Sequence, residues 1–227
     1  MNAEDLFALP ENFPFPSYFK SGDTPWSWIP QIGQALESPD FASHVSTPVD
    51  LPSGTVVLGQ VFLHPTVKLS PNVVIHGPAF IGAGSELRPG VFIRGNVIVG
   101  EGCILGNSCE FKESLLLNRV ETPHFNYVGN SVLGNGAHLA AGVICSNLRL
   151  DRQEVWVSLP GGKVNSGLRK LGALVGDGAE VGCNTVLNPG TILGKRSLVY
   201  PGMAFGGFLE PETVAGAKTE ILRVNRR

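Results

Sequence analysis

The 227-residue sequence is short of charge: Asp, Glu, Lys and Arg make up 16% of it, and 19 acidic against 17 basic side chains leave a formal net charge of −2. Without a basic excess no overall field draws the chain to nucleic acid or to an anionic membrane, so any anion site must be local. Cysteine is scarce too. The four, Cys103, Cys109, Cys145 and Cys183, form no Cys-x-x-Cys pair, so no zinc-binding or redox spacing is present, and reduced packing residues are expected. No apolar run approaches membrane-spanning length. The opening "MNAEDLFALPENFPFP" is acidic and broken by proline, which excludes the basic and apolar regions of a secretion signal and points to a cytoplasmic protein. At 43% hydrophobic, the chain can fill one good core, and one main domain is expected.

What the sequence has is a period of six. Counting from Val57 gives Leu63, Leu69, Ile75, Ile81, Leu87, Ile93, Val99, Leu105 and Phe111. Four residues after each comes Val61, Val67, Val73, Ala79, Ser85, Val91, Val97, Cys103, Cys109 and Leu115, all small or apolar. A second register runs through Tyr127, Leu133, Leu139 and Cys145, and a third through Val175, Val181, Leu187, Leu193, Val199 and Phe205. Six residues are too few for a helix pair but suit a brief strand and a corner, repeated. Gly, Pro and Asn in "LSPN", "LRPG", "LNPG" and "VYPG" supply the corners. Three units close a triangular coil, and stacked coils make a parallel β-helix, expected over residues 55–207. Around it are expected a cap or linker over 1–54, an inserted protruding loop over about 148–172 and a tail over 208–227. In "TPWSWIPQIGQALES" Thr24 as cap, Pro25 in the first turn and Ile29, Ile32 and Leu36 on one side predict a short helix, placed over the open end of the solenoid. With eighteen residues to a coil, His76, Arg94 and Lys112 each follow an inward residue and form one outward row spaced by about 4.8 Å, with Arg88 one face away.

The pattern resembles the hexapeptide-repeat proteins, which implies a left-handed β-helix. Most known members are acyltransferases with active sites between the subunits of a trimer. The stretches "ELRPG", "NSCEFKES" and "HFNYVGNSVLGNGAHLAAGVICSNLRLD" narrow the likeness to the acetyltransferase domain of bifunctional glucosamine-1-phosphate acetyltransferase/N-acetylglucosamine-1-phosphate uridyltransferases. Archaeal-type sugar-1-phosphate nucleotidyltransferases that carry such a domain are closer still, their pattern including "HLNYVGDS", "GAGT", "ANLR" and "SGRRKLGA". Here "SNLRLD" and "SGLRKLGALVGD" match, and the likeness covers roughly residues 80 to 206.

The resemblance implies an acetyl-CoA-dependent N-acetyltransferase acting on an amino-sugar phosphate or a nucleotide-linked amino sugar. His124 matches the general base; an ammonium cannot attack a thioester, and an imidazole near neutrality can take its proton. Asn147 matches an asparagine near the acceptor, and Glu110 is placed either to orient His124 or in a salt bridge between subunits. Tyr127 matches the tyrosine of the sugar pocket, with inward packing as the alternative. Arg88, Lys112 and Lys170 match cations that meet the sugar phosphate or nucleotide. Acetyl-CoA, the co-substrate, would run along a coil edge by Ala141 and Gly142, with Cys183 and Pro201 near further contacts; direct transfer is expected, since Cys183 has no evident base. No metal is implied.

Some positions depart from the family. His138 stands where an asparagine lines the acceptor pocket, Pro123 precedes His124, and "AAG" replaces "GAG", which leaves the acceptor sugar open. Only about fifty residues precede the repeats, so uridylyl transfer by this chain is not expected. The alternative is a sugar-phosphate-binding or trimerising subunit of a separately encoded nucleotidyltransferase. A carbonic anhydrase of the same fold is disfavoured, because His64, His76, His124 and His138 miss that family's ligand spacing.

Overall fold

The strands produced by the repeat are only two to four residues long, so none would hold by itself. In the computed structural model, which describes residues 1–45 and 50–217, they stack into three parallel eight-stranded sheets. These are the faces of a triangular prism of eight coils, a left-handed parallel β-helix by fold class. Face A runs from Val56–Leu58 to Ala204–Phe205, face B from Val61–Leu63 to Phe208–Leu209, and face C from Lys68–Leu69 to Val214–Ala215. The solenoid therefore continues past the expected boundary at 207. Of the expected tail, residues 218–227 lie outside the described residues.

The six-residue series fills the prism. Ile75, Ile81, Leu87, Ile93, Val99, Leu105 and Phe111 are fully buried in one axial core with Cys103, Cys109 and Cys145. Burial pushes the Cys103 and Cys145 thiols up to about 12, so both stay protonated packing groups. Cys183 is exposed at a corner.

The register departs from expectation after Phe111. Val74 pairs with Phe92 eighteen residues on, but Val97 pairs with Ser114 and Glu110 with Tyr127, seventeen on. The lost residue is at the corner from face A to face B. In the third coil two residues, Gly95 and Asn96, link Arg94 to Val97; in the fourth Glu113 alone joins Lys112 to Ser114. The fifth coil repeats the short link at Asn130. A one-residue slip exchanges inside for outside. Leu116 and Val128 therefore face the core, while Leu115 and Tyr127, both expected inward, face out.

The N-terminal segment corrects a second expectation. It has the predicted helix, α1 (Trp28–Leu36), with Ile29, Ile32 and Leu36 buried, followed by α2 (Pro39–His44). Pro25 opens a 3-10 turn, Pro25–Ser27, and the Thr24 side chain makes no capping bond. The segment lies along face B rather than over an end. The outward residues of that face, among them Phe62, Phe80, Ile98, Leu115, Leu174, Ile192 and Phe208, pack with Phe7, Phe15, Phe19, Trp28 and Phe41 in a second core. Polar bonds fix the far edge: Ala8 N–H donates to Asp177 Oδ2 (2.8 Å) and Asn135 Nδ2 to the Ala8 carbonyl (2.7 Å). The insertion is partly folded into the same layer. Val155 and Val157 of the first limb of its hairpin, Trp156–Leu159 with Gly162–Asn165, are buried there, while Trp156 and the whole second strand are exposed.

Candidate active site

The sequence-predicted residues gather at two edges of face A. At the A–B corner Lys112 Nζ pairs with Glu113 Oε1 at 2.7 Å, and Asn130 Nδ2 donates to the other oxygen of Glu113. Asn147 Nδ2 donates to Asn130 Oδ1 (2.7 Å) and to the Tyr127 hydroxyl (3.2 Å). Lys170, on the return limb of the insertion, is bridged to Leu148 and adds its charge to Glu113. Burial acts to raise the Glu113 pKa, but hydrogen bonds from Lys112 and Asn130 with the charges of Lys112 and Lys170 outweigh it, holding the carboxyl below its usual value. Both single-residue corners are left-handed, Glu113 at φ 47° and Asn130 at φ 48°. Gly129 leaves room for them: a Cβ there would stand 2.5 Å from the Tyr127 hydroxyl and 2.8 Å from Asn147 Nδ2, and both side chains would have to shift.

His124 stands at the other edge, where face C turns into face A. It ends the strand Glu121–His124, and its exposed imidazole makes no hydrogen bond to a described residue. Its backbone is held from within. Asn126, buried, donates to the Ala140 carbonyl (2.8 Å) and accepts from the His124 N–H (3.3 Å). Gly106 lets this strand approach, since a Cβ there would lie 1.7 Å from the Pro123 carbonyl oxygen. Phe125 follows in a left-handed conformation (φ 54°), 59% exposed, its ring 6.3 Å from the imidazole. Above His124 the corner is a column of the residues expected along acetyl-CoA. Gly142 N–H donates to the His124 carbonyl (3.0 Å), Asn184 to Ala141 (2.8 Å) and Gly202, beside Pro201, to Cys183 (2.8 Å).

The remaining residues lie apart from both clusters. Arg88 is on face C, two coils before His124, with Nε on Glu86 Oε1 at 2.9 Å. His138 is on the same face, aligned between Glu121 and Glu180. Glu110 pairs with Arg94 at 2.5 Å rather than with His124. The outward row is in place, His76 aligned with Arg94. Among the described residues no three His, Cys, Asp or Glu side chains converge as metal ligands. On one chain about five residues of extended backbone, roughly 17 Å, separate the His124 edge from the Glu113 edge. Sequence reasoning missed Glu113, Asn130 and Asn126; the last two stand inside the quoted "HFNYVGN", where asparagine's tolerance of turn conformations was the available signal for Asn130.

Residues 75–205 match the model of the family described as the GMPPB C-terminal domain. The bifunctional sugar-1-phosphate nucleotidylyltransferase/acetyltransferase of Sulfurisphaera tokodaii is 40% identical over 98 residues, which are 43% of this chain and 24% of that one. The bifunctional protein GlmU of Methanococcus maripaludis strain C5 is 33% identical over 123 residues, 54% of this chain and 30% of its own. The aligned region is thus less than a third of the length of these curated relatives. Among solved structures, the acetyltransferase domain of PglB from Neisseria gonorrhoeae aligns with 69% of this chain and 55% of its own at 17% identity, with a TM-score of 0.27.

Proposed function

The chain belongs to the family of the GMPPB C-terminal domain, and from that premise we propose that it transfers an acetyl group from acetyl-CoA to the amine of an amino-sugar phosphate or nucleotide-linked amino sugar. The observation that carries this is the exposed imidazole of His124 at the foot of a corner column of small residues, Ala141, Gly142 and Cys183. A thioester and an amine brought there have a base and room for the pantetheine arm. His124 takes a proton from the acceptor ammonium, and the freed amine attacks the thioester carbonyl. The nitrogen of the tetrahedral intermediate loses its extra proton to solvent, the intermediate collapses to the amide with departure of the thiolate, and the imidazolium returns its proton to that sulfur. Lys112, Asn147, Tyr127 and Lys170 supply the polar edge that holds sugar and phosphate.

Because His124 and that polar edge lie at opposite sides of face A, a complete site takes one edge from each of two neighbouring chains, in a homotrimer. Incubating the purified chain with acetyl-CoA and glucosamine 1-phosphate should release coenzyme A and yield an N-acetylated product by mass spectrometry. His124→Ala should cut that rate by about 10²- to 10⁴-fold, the usual contribution of a positioned general base. Its melting temperature should stay near wild type, because the imidazole is exposed. Turnover unchanged in His124→Ala would remove the histidine from the mechanism.

A further inference from the structure

The corner between faces A and B departs from the repeat in three successive coils, and the departures border one space. Glu113 and Asn130 each replace a two-residue link, and in the sixth coil the insertion replaces it altogether. Shortened corners leave a recess, walled on one side by α1 and on the other by the returning limb of the insertion. The result is a cleft of about 460 Å³, a size that suits a small-molecule ligand.

Its two walls differ in chemistry. On the α1 wall the exposed Pro30, beside the largely buried Ile29, is apolar, and Leu168 adds an apolar contact from the insertion. Arg169 and Lys170 stand opposite, both exposed and neither in an ion pair with a described residue. Between them are Glu113 and the half-buried Asn96, whose amide makes no hydrogen bond to a described residue. Lys112 forms the ion pair with Glu113, and although Lys170 also feels that carboxylate, the cations around the cleft outnumber it. A hexose phosphate would be satisfied by the Lys112–Asn147–Tyr127 edge alone and would leave the apolar wall bare. An anion joined to a flat ring fills both sides: phosphates on the cations, a heterocycle on Ile29 and Pro30 with the Asn96 amide at its edge, and sugar hydroxyls on the Glu113 carboxylate.

We propose that this cleft holds the nucleoside diphosphate of a nucleotide-linked amino sugar. The amino sugar then extends past Asn130, which borders both the cleft and Asn147. This names the acceptor class for the acetyl transfer proposed above and rests on that reading.

Calorimetric titration of the full chain with UDP, GDP, dTDP and ADP, and with inorganic pyrophosphate as control, tests the cleft without acetyl-CoA. At least one nucleoside diphosphate should bind about tenfold or more tightly than pyrophosphate. Arg169→Gln should weaken that binding by about tenfold, the loss of one charge-assisted hydrogen bond. Pro30→Glu, an exposed change that a helix N-terminus tolerates, should weaken the nucleotide more than it weakens pyrophosphate. Pyrophosphate binding as tightly as every nucleotide, or a nucleotide affinity untouched by both variants, would overturn the inference. The two readings fail separately. Acetyl transfer to glucosamine 1-phosphate without nucleotide binding sinks only the cleft; nucleotide binding without transfer to any amino sugar sinks the enzyme and leaves the cleft standing.

Discussion

Lys112 and Arg88 both follow buried core residues, Phe111 and Leu87, yet their surroundings differ. Lys112 sits inside the Glu113–Asn130–Asn147 network, whereas Arg88 spends its guanidinium on Glu86 two coils from His124. Lys112→Ala should therefore raise the acceptor's apparent KM by about 10- to 150-fold, the worth of a charge-assisted hydrogen bond, and leave that for acetyl-CoA nearly unchanged. Arg88→Ala, read in the same steady-state assay, separates a phosphate contact from a salt bridge on the surface: an acceptor KM within twofold assigns Arg88 to Glu86 alone. Glu113 adds a pH signature. Its folded pKa lies below the ordinary carboxylate value, so the stability it contributes is present above the unfolded pKa and is lost as pH falls through the folded one. Melting temperatures from about pH 5 down to about pH 3 should fall more steeply for the wild type than for Glu113→Gln. Parallel curves would mean that the carboxylate network contributes nothing to folding.

At the scale of elements, the sequence was most informative where the repeat is unbroken. The series from Val57 to Phe111 gave the inward positions of three coils and the first of the fourth without error, because the six-residue spacing is unbroken there. It misled at Leu115 and Tyr127. A missing corner residue leaves no mark when the neighbours are also apolar: "SLLL" reads equally well in either register until Glu113 is seen to fill a corner alone. The placement of the N-terminal segment was legible but unread. Every outward residue on the middle of face B is apolar (Phe62, Phe80, Ile98, Leu115, Val132, Leu174, Ile192, Phe208), a periodicity that only a covering layer explains. The two clusters of the candidate site were named from motif likeness, but their separation across face A is not a property of spacing. Ile98→Ala, under that layer and fully buried, should lower stability by about 2–5 kcal/mol in urea denaturation. Val56→Ala, at a 41%-exposed residue of the first strand of face A, should change it by about 0.5 kcal/mol or less. Equal, small losses at both sites would mean that the segment does not cover face B in solution.

At the scale of the molecule, an apolar layer covers face B, and the shared-site proposal puts neighbouring chains against faces A and C. Light scattering at micromolar concentration should give a mass near three times the 24.1 kDa chain; a monomer would undo the shared-site proposal. The same layer governs how the chain comes apart. A bare solenoid unfolds from its ends, each coil supported only by the next. Here the segment from Phe7 to Phe41 and the hairpin of the insertion form one apolar cluster with outward side chains from the first coil, at Phe62, to the last, at Phe208. Contacts of that kind join coils that are otherwise strangers, and they turn a chain of nearest-neighbour steps into a single cooperative unit. Heating should therefore give one calorimetric transition whose van't Hoff and calorimetric enthalpies agree per assembled unit. Chains lacking residues 1–45 should instead fray in stages, losing protection from amide exchange first in the terminal coils and last around Phe111.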